Sequence, residues 1–210
     1  MDNILIDRLE SKIIQRLFRQ SIEVEASGRH VHLCKDDVEK LFGKGHVLTK
    51  KSNLSQPGQF ACQERITLEG PKNSIRNVIV LGPERPETQV EVSLTDAVVL
   101  GVKPPVCMSG YITGTPGVKL VGPAGEVELS KGVIVAKRHI HMTPGDAEYF
   151  GVVDQEEVSF TTYGERSMTF HNVTVRVSPS FATYMHIDYD EANACSFSKG
   201  MRGFIIKQTV

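Results

Sequence analysis

Hydrophobic positions at the start of the chain recur with helical spacing. Ile6, Leu9, Ile13 and Leu17 fall on one face, with Leu5, Ile14 and Phe18 beside them, so residues 3–20 are predicted to form an amphipathic helix. From residue 22 the period shortens to that of strands. Residues 22–33 read as extended, followed by a short helix over 36–42 that Gly43 ends. Strands are expected at 65–68, 77–81 and 89–93, then at 118–120 and 126–129 around a Gly122-Pro123-Ala124-Gly125 hairpin turn. A strand at 132–136 leads to a second short helix with Thr143 as N-cap, Pro144 at its first position and Gly151 at its end. Strands at 158–162 and 167–177 complete the pattern. Many short strands punctuated by Gly and Pro indicate a mainly β fold, a barrel or sandwich rather than a helical bundle.

The pattern repeats. From Arg29 the chain reads RHVHLCKDDVEKLFG, and from Arg138 it reads RHIHMTPGDAEYFG, matching both arginines, four histidines, Asp37 with Asp146 and Glu39 with Glu148. Asn77 and Asn172 each open an alternating run. The same offsets from them align Thr88 with Thr183, Glu91 with His186 and Ala97 with Ala192. Two histidines at i and i+2 share one face of a strand and can converge on one ion. Each half thus offers three ligands: His30, His32 and Glu91 in one, His139, His141 and His186 in the other. Three protein ligands with an open fourth position is the pattern of a catalytic zinc site. His46 and His171 have no counterparts and are read as structural.

The repeat divides the chain into a helix over 1–20, as cap or targeting segment, a first β-barrel over 21–114 and a second over 115–210. The helix either caps the domain or docks on a partner as a short address segment; with no Gly/Ser/Pro linker after it, the cap is favoured. Net charge is −1 with no block of like charges, which argues against a nucleic-acid footprint. No apolar run approaches the ~20 residues that cross a membrane. The first residues do not read as a secretory signal, and the four cysteines show no CxxC spacing, so a reducing cytoplasmic setting with free thiols is expected.

Arg85 lies in a Gly82-Pro83 turn six residues before Glu91, and its repeat partner is Ser180, so the shared scaffold does not explain it. A guanidinium beside a metal suits phosphate or carboxylate, which it grips through paired hydrogen bonds. The Gln56-Pro57-Gly58-Gln59 turn is either a plain loop or a substrate-contacting one. The Gly-rich stretch from Ser109 to Gly117 lacks the Gly-Lys-Ser/Thr of a P-loop and reads as the inter-domain connection. Asp188 and Asp190 are either partners that orient imidazoles or surface charges.

The motifs S-x-R-H-x-H-L, Q-P-G-Q-F-A, G-P-x-R, Q-V-E-V-S, S-G-x-x-x-G-T-P-G, R-H-I-H-M and H-I-D-x-D-E-A-N-A run from Ser27 to Ala194. Together they resemble the phosphate propanoyltransferase family, zinc-dependent phosphotransacylases associated with bacterial microcompartments and propanediol degradation. The resemblance implies two similar small β-barrels with short helical caps and the active site between them. It implies zinc, two ions, on His30, His32, Glu91, His139, His141 and His186, and phosphate on Arg85, the catalytic residue. The implied reaction is acyl-CoA plus phosphate to acyl phosphate plus CoA, with propanoyl or acetyl as the acyl group, by direct displacement. It further implies a homo-oligomer, no nucleic-acid or membrane partner, and contact with microcompartment shell or core proteins through residues 3–20. Tyr189 departs from the small residue more familiar at its place. Two other readings use the same residues: a two-zinc hydrolase with water as nucleophile, and a binding module in which zinc clamps two barrels.

Overall fold

In the computed structural model residues 3–206 are described, and within the first helix the side chains from residue 8 onward. The helix α1 (Asn3–Gln20) forms as expected, and Leu9, Ile13, Ile14, Leu17 and Phe18 are all at least half exposed. The side chains of Leu5 and Ile6, expected on the same face, lie outside the described residues. The helix ends against its own unit through Arg202, whose guanidinium lies 3.9 Å from the Phe18 ring centre and donates to Ser21.

The chain then runs through β1 (Ile22–Ser27), β2 (His30–His32), α2 (Lys35–Phe42), β3 (Lys50–Asn53), β4 (Phe60–Glu69), β5 (Ser74–Gly82), β6 (Gln89–Glu91) and α3 (Leu94–Leu100). After β7 (Val106–Cys107), β8 (Lys119–Val121), β9 (Glu126–Glu128) and β10 (Val133–Ala136) come β11 (His139–Met142), α4 (Pro144–Phe150), β12 (Glu157–Thr162), β13 (Met168–Val177), β14 (Tyr184–Asp188), α5 (Tyr189–Ala194) and β15 (Arg202–Ile206). The fold is mainly β, and the strands fall into two units.

One unit takes in Arg138–Ile187, the chain up to Glu25 and the chain from Ala192 on. Its strands close into a six-stranded barrel in the order β1-β14-β11-β13-β12-β15. Ile22, Val24, Ile140, Met142, Val158, Phe160, Val173, Val175, Met185 and Ile187 are buried in this unit. The other unit takes in Ala26–Lys137 and Asp188–Glu191. It is a curled nine-stranded sheet in the order β7-β10-β6-β2-β5-β4-β8-β9, with β3 on β4. Its core gathers Val31, Leu33, Leu41, Ile66, Leu68, Val78, Val80, Val90, Leu100 and Leu120.

The internal repeat is visible in the strands themselves. In each unit the histidine strand pairs in parallel with the strand that contains the aligned asparagine, β2 with β5 and β11 with β13. It pairs antiparallel with the strand bearing the third aligned residue, β2 with β6 and β11 with β14. Asn77 and Asn172 both adopt positive φ, 60° and 55°, beside register shifts in their antiparallel pairings. Asparagine tolerates that left-handed backbone better than other side-chain-bearing residues, so the bulge recurs with the residue that permits it.

Candidate functional site

The sheet unit builds its triad on β2 and β6. His30 lies opposite Glu91 and His32 opposite Gln89 in the antiparallel register, and the two-residue period sends all four side chains to one face. His30 Nδ1 donates to the Gly28 carbonyl at 2.8 Å, which leaves Nε2 facing Glu91 Oε2 at 3.4 Å. His32 Nε2 lies 3.9 Å from Glu91 Oε1. All three are buried.

Glu91 is held from behind. Its Oε1 accepts hydrogen bonds from Ser109 Oγ (2.8 Å) and Gln89 Nε2 (2.6 Å), and Gln89 Oε1 in turn accepts from the Gly110 amide at 2.7 Å. Burial opposes the charge on Glu91, but His30, His32 and Ser109 outweigh it and hold the carboxyl well below the usual carboxylate range. Burial likewise opposes a proton on His30, and Glu91 overcomes it, so His30 is raised. His32 goes the other way: burial, His30 and Arg85 push it well below its ordinary value.

Arg85 stands over this triad. Its backbone amide donates to the Leu33 carbonyl at 2.9 Å, and its Nη1 donates to Ser109 Oγ at 3.1 Å. A cavity of about 270 Å³ is lined by His32, Arg85, Gly82, Pro83 and the Pro57-Gly58-Gln59 turn. The turn left open between plain loop and substrate contact therefore lines the same cavity as the histidine and the guanidinium.

The barrel unit builds its triad on β11 and β14, with His139 opposite His186 and His141 opposite Tyr184. The ring centres lie 4.6 to 5.0 Å apart. His186 Nδ1 is 3.6 Å from Glu25 Oε2. Both ring nitrogens of His141 are buried without a hydrogen-bond partner. Burial first, then His139 and Arg176, push its pKa down to about 3.

In each triad one ligand atom per residue lies within 4.8 Å of the others. Two imidazoles with a carboxylate, and three imidazoles, are donor sets suited to a divalent transition metal. An imidazole with two orphaned buried nitrogens is costly in a protein interior, and a metal ion would supply a partner to one of them. The residues fit the group.

Three residues were not singled out from the sequence. Gln89 carries the same signal as Glu91, two positions earlier on one strand face. Ser109 was read as part of a connection; contacts far along the chain put it beside Glu91. Arg176 lies beside His141 in the β11–β13 register, and its guanidinium sits 5.7 Å from the Phe181 ring, which packs on His141 at 4.1 Å. Its repeat counterpart is Leu81, so the alignment hid it. His46 Nε2 donates to Glu64 Oε1 at 2.9 Å, and His171 meets Ser159 at 2.8 Å; neither belongs to a triad. Asp188 Oδ1 accepts from the Glu191 amide and Asp190 Oδ2 from the Thr95 amide, so both acids cap backbone at short helices. Tyr189 packs its ring against Gly28, where an added Cβ would come within 2.5 Å of it.

Comparison with known proteins places this geometry. The family model for phosphate propanoyltransferase matches residues 23–198. A phosphate propanoyltransferase of Clostridioides difficile is 59% identical over 99% of this chain and 100% of its own length. One from Listeria monocytogenes is 56% identical over 100% and 99%. One from Thermotoga maritima is 51% identical over 89% of each chain. The likeness makes the chain an acyltransferase, a transferase enzyme rather than a binding module. Within that class, it belongs to the phosphate propanoyltransferase family.

Proposed function

We propose that the chain converts a short-chain acyl-CoA, propanoyl-CoA or acetyl-CoA, and phosphate into acyl phosphate and CoA, with Zn²⁺ held at each triad. The observation that carries this reading is Arg85 at a cavity it shares with His32, a triad member. His30, His32 and Glu91 would hold one ion, and His139, His141 and His186 the other. Bound zinc supplies Lewis acidity toward a thioester carbonyl or a phosphate oxygen and a soft site for a thiolate.

Arg85 binds phosphate through parallel N–H donors and offsets its charge while one phosphate oxygen attacks the thioester carbon. The new C–O bond forms, the C–S bond breaks, and the sulfur takes the electron pair as CoA thiolate. Ser109 steadies the guanidinium and Glu91 with one hydroxyl. The Pro57-Gly58-Gln59 turn lines the same cavity, where it can contact the bound substrate. Transfer is direct: Cys34, the thiol nearest the first histidine pair in sequence, has Thr143 as its counterpart. Exchange of labelled CoA into acetyl-CoA without phosphate would contradict this.

The exposed apolar side of α1 supports its use as an address segment toward microcompartment proteins. Among the described residues, no helix is long and apolar enough to cross a membrane.

The test is release of CoA from both acyl-CoAs with and without phosphate, with acyl phosphate trapped as its hydroxamate. Release that requires phosphate and is mostly lost in Arg85→Ala at phosphate below its KM supports the reading. Release that ignores phosphate makes the enzyme a hydrolase.

A further inference from the structure

Beyond the ends of the paired histidine strands, each unit carries the same small hydrogen-bonded latch. In the sheet unit Thr88 Oγ1 donates to Asp37 Oδ2 at 2.7 Å and accepts from the Cys34 amide at 3.0 Å. In the barrel unit Thr183 Oγ1 donates to Asp146 Oδ2 and accepts from the Thr143 amide at 3.4 Å. The offsets are identical. Cys34 and Thr143 lie two residues after the second histidine of each pair, and Thr88 and Thr183 lie three residues before the third triad member. Asp37 and Asp146 sit in the first turns of α2 and α4.

We propose that Thr88 with Asp37, and Thr183 with Asp146, are positioning residues that fix the third metal ligand of each triad against its histidine pair. The inference rests on the reading that the triads hold metal.

The backbone pairing of β2 with β6 stops at His32 and Gln89, and that of β11 with β14 at His141 and Tyr184. A slip of one residue across such a short ladder turns Glu91 or His186 to the opposite face of the sheet. The latch continues the ladder for one further step with a side chain. The hydroxyl takes the amide of the outgoing histidine strand on one side and a helix carboxylate on the other. Its strand, its helix and the histidine strand are then tied at one atom.

What surrounds the latch differs between the units. Thr143 Oγ1 makes a further bond to Asp146 Oδ2, where the first repeat has Cys34. Lys40 pairs with Asp37, and the aligned residue Tyr149 is uncharged. The turn before each threonine reads Gly82-Pro83-Glu84-Arg85-Pro86-Glu87 in one unit and Val177-Ser178-Pro179-Ser180-Phe181-Ala182 in the other. Even the third triad member changes, from glutamate to histidine. The threonine, the aspartate and their spacing from the ligands stay the same. A latch that served only local packing would have no reason to keep that spacing while the turn it closes is rebuilt.

The test is Zn²⁺ binding to the full chain by competition with a chromogenic chelator, with Co²⁺ absorption spectra to tell a two-nitrogen, one-oxygen site from a three-nitrogen site. Thr88→Val is expected to weaken the site with the carboxylate by about 10- to 100-fold, the range for loss of a supporting hydrogen bond. Thr88→Ser keeps the hydroxyl and should restore it. Thr183→Val should weaken only the three-imidazole site, which gives an independent arm if Thr88→Val folds poorly by circular dichroism. Wild-type affinity at both sites in the folded valine variants overturns the proposal, even if their melting temperatures fall. Equal weakening of both sites by one variant overturns it too. A wild-type chain that binds no Zn²⁺ overturns the metal reading itself, and the positioning role falls with it.

Discussion

The two triads share a scaffold and differ in chemistry. In the sheet unit a buried carboxylate stands among two imidazoles, and a serine and a glutamine hold it from behind. In the barrel unit three imidazoles gather, and Glu25, itself more than a third exposed, lies 3.6 Å from His186. The arginines differ in origin as well. Arg85 comes from a turn whose counterpart is Ser180, and Arg176 from a strand position whose counterpart is Leu81. Duplication thus preserved where the triad members stand and left their charge free to diverge. The sheet triad is electrostatically balanced before any ion arrives. In the barrel triad an imidazole takes the place of that carboxylate, and both ring nitrogens of His141 lack a hydrogen-bond partner.

The largest effect should come from removing that balance. Glu91→Ala deletes the carboxylate of the triad and leaves His30 and His32 facing Arg85 without their anion. We expect zinc affinity of that site to fall by more than the 10- to 100-fold that a lost supporting contact costs, with activity following. Metal content after dialysis measures it.

Next comes the contrast between the arginines. Arg85→Ala should raise the KM for phosphate by about 10- to 100-fold, since a hydrogen bond to a charged group is worth about 1.5–3 kcal/mol. Arg176→Ala, by a strand beside His141 and Phe181, should change it by less than about threefold. Equal effects would erase the distinction between the sites.

Ser109→Ala removes one hydroxyl that touches both Arg85 and Glu91. Both bonds have a charged partner, and such a bond is worth about 1.5 kcal/mol or more, so a loss of about tenfold in kcat/KM is expected, with zinc retained.

The smallest effect is on stability of the metal-free chain. His141 has a folded pKa near 3 against an ordinary 6.5, so the unfolded chain binds its proton first. Its contribution is complete above about pH 6.5 and is lost as pH falls toward 3. His30 is raised, so its contribution is present below 6.5 and is lost as pH climbs through its folded value. The His141→Gln chain should therefore lose less melting temperature between pH 7 and pH 5 than the wild type, by about 2–4 °C for each kcal/mol involved.

Much of this site was legible in the chain because repetition marks position. The spacing of Asn77 to Glu91 and Asn172 to His186 found strand partners that no local motif shows, and period two assigned their face. The residues that escaped did so for physical reasons. Ser109 reaches Glu91 through chain folding over 18 residues, with no periodic signal. Arg176 stands at a place that the other repeat fills with an apolar residue. Thr88 and Thr183 were aligned, but a threonine in a strand has no pattern that reveals a hydroxyl bridging an amide and a carboxylate. The strands over 119–136 have partners, β4 and β6, that hydrogen bonding alone identifies, since alternation does not say which edge a strand joins. The amphipathic helix α1 was legible as a helix, and period alone does not say whether its apolar side is covered; Leu9, Ile13, Ile14, Leu17 and Phe18 are each at least half exposed.

The most direct measurement is the number of Zn²⁺ ions bound per chain by the wild type, Glu91→Ala and His186→Ala. Two ions in the wild type and one in each variant is the predicted result, with the residual ion in Glu91→Ala showing a three-imidazole Co²⁺ spectrum. Two ions in all three proteins, or none in the wild type, would contradict the assignment of these six residues to two metal sites.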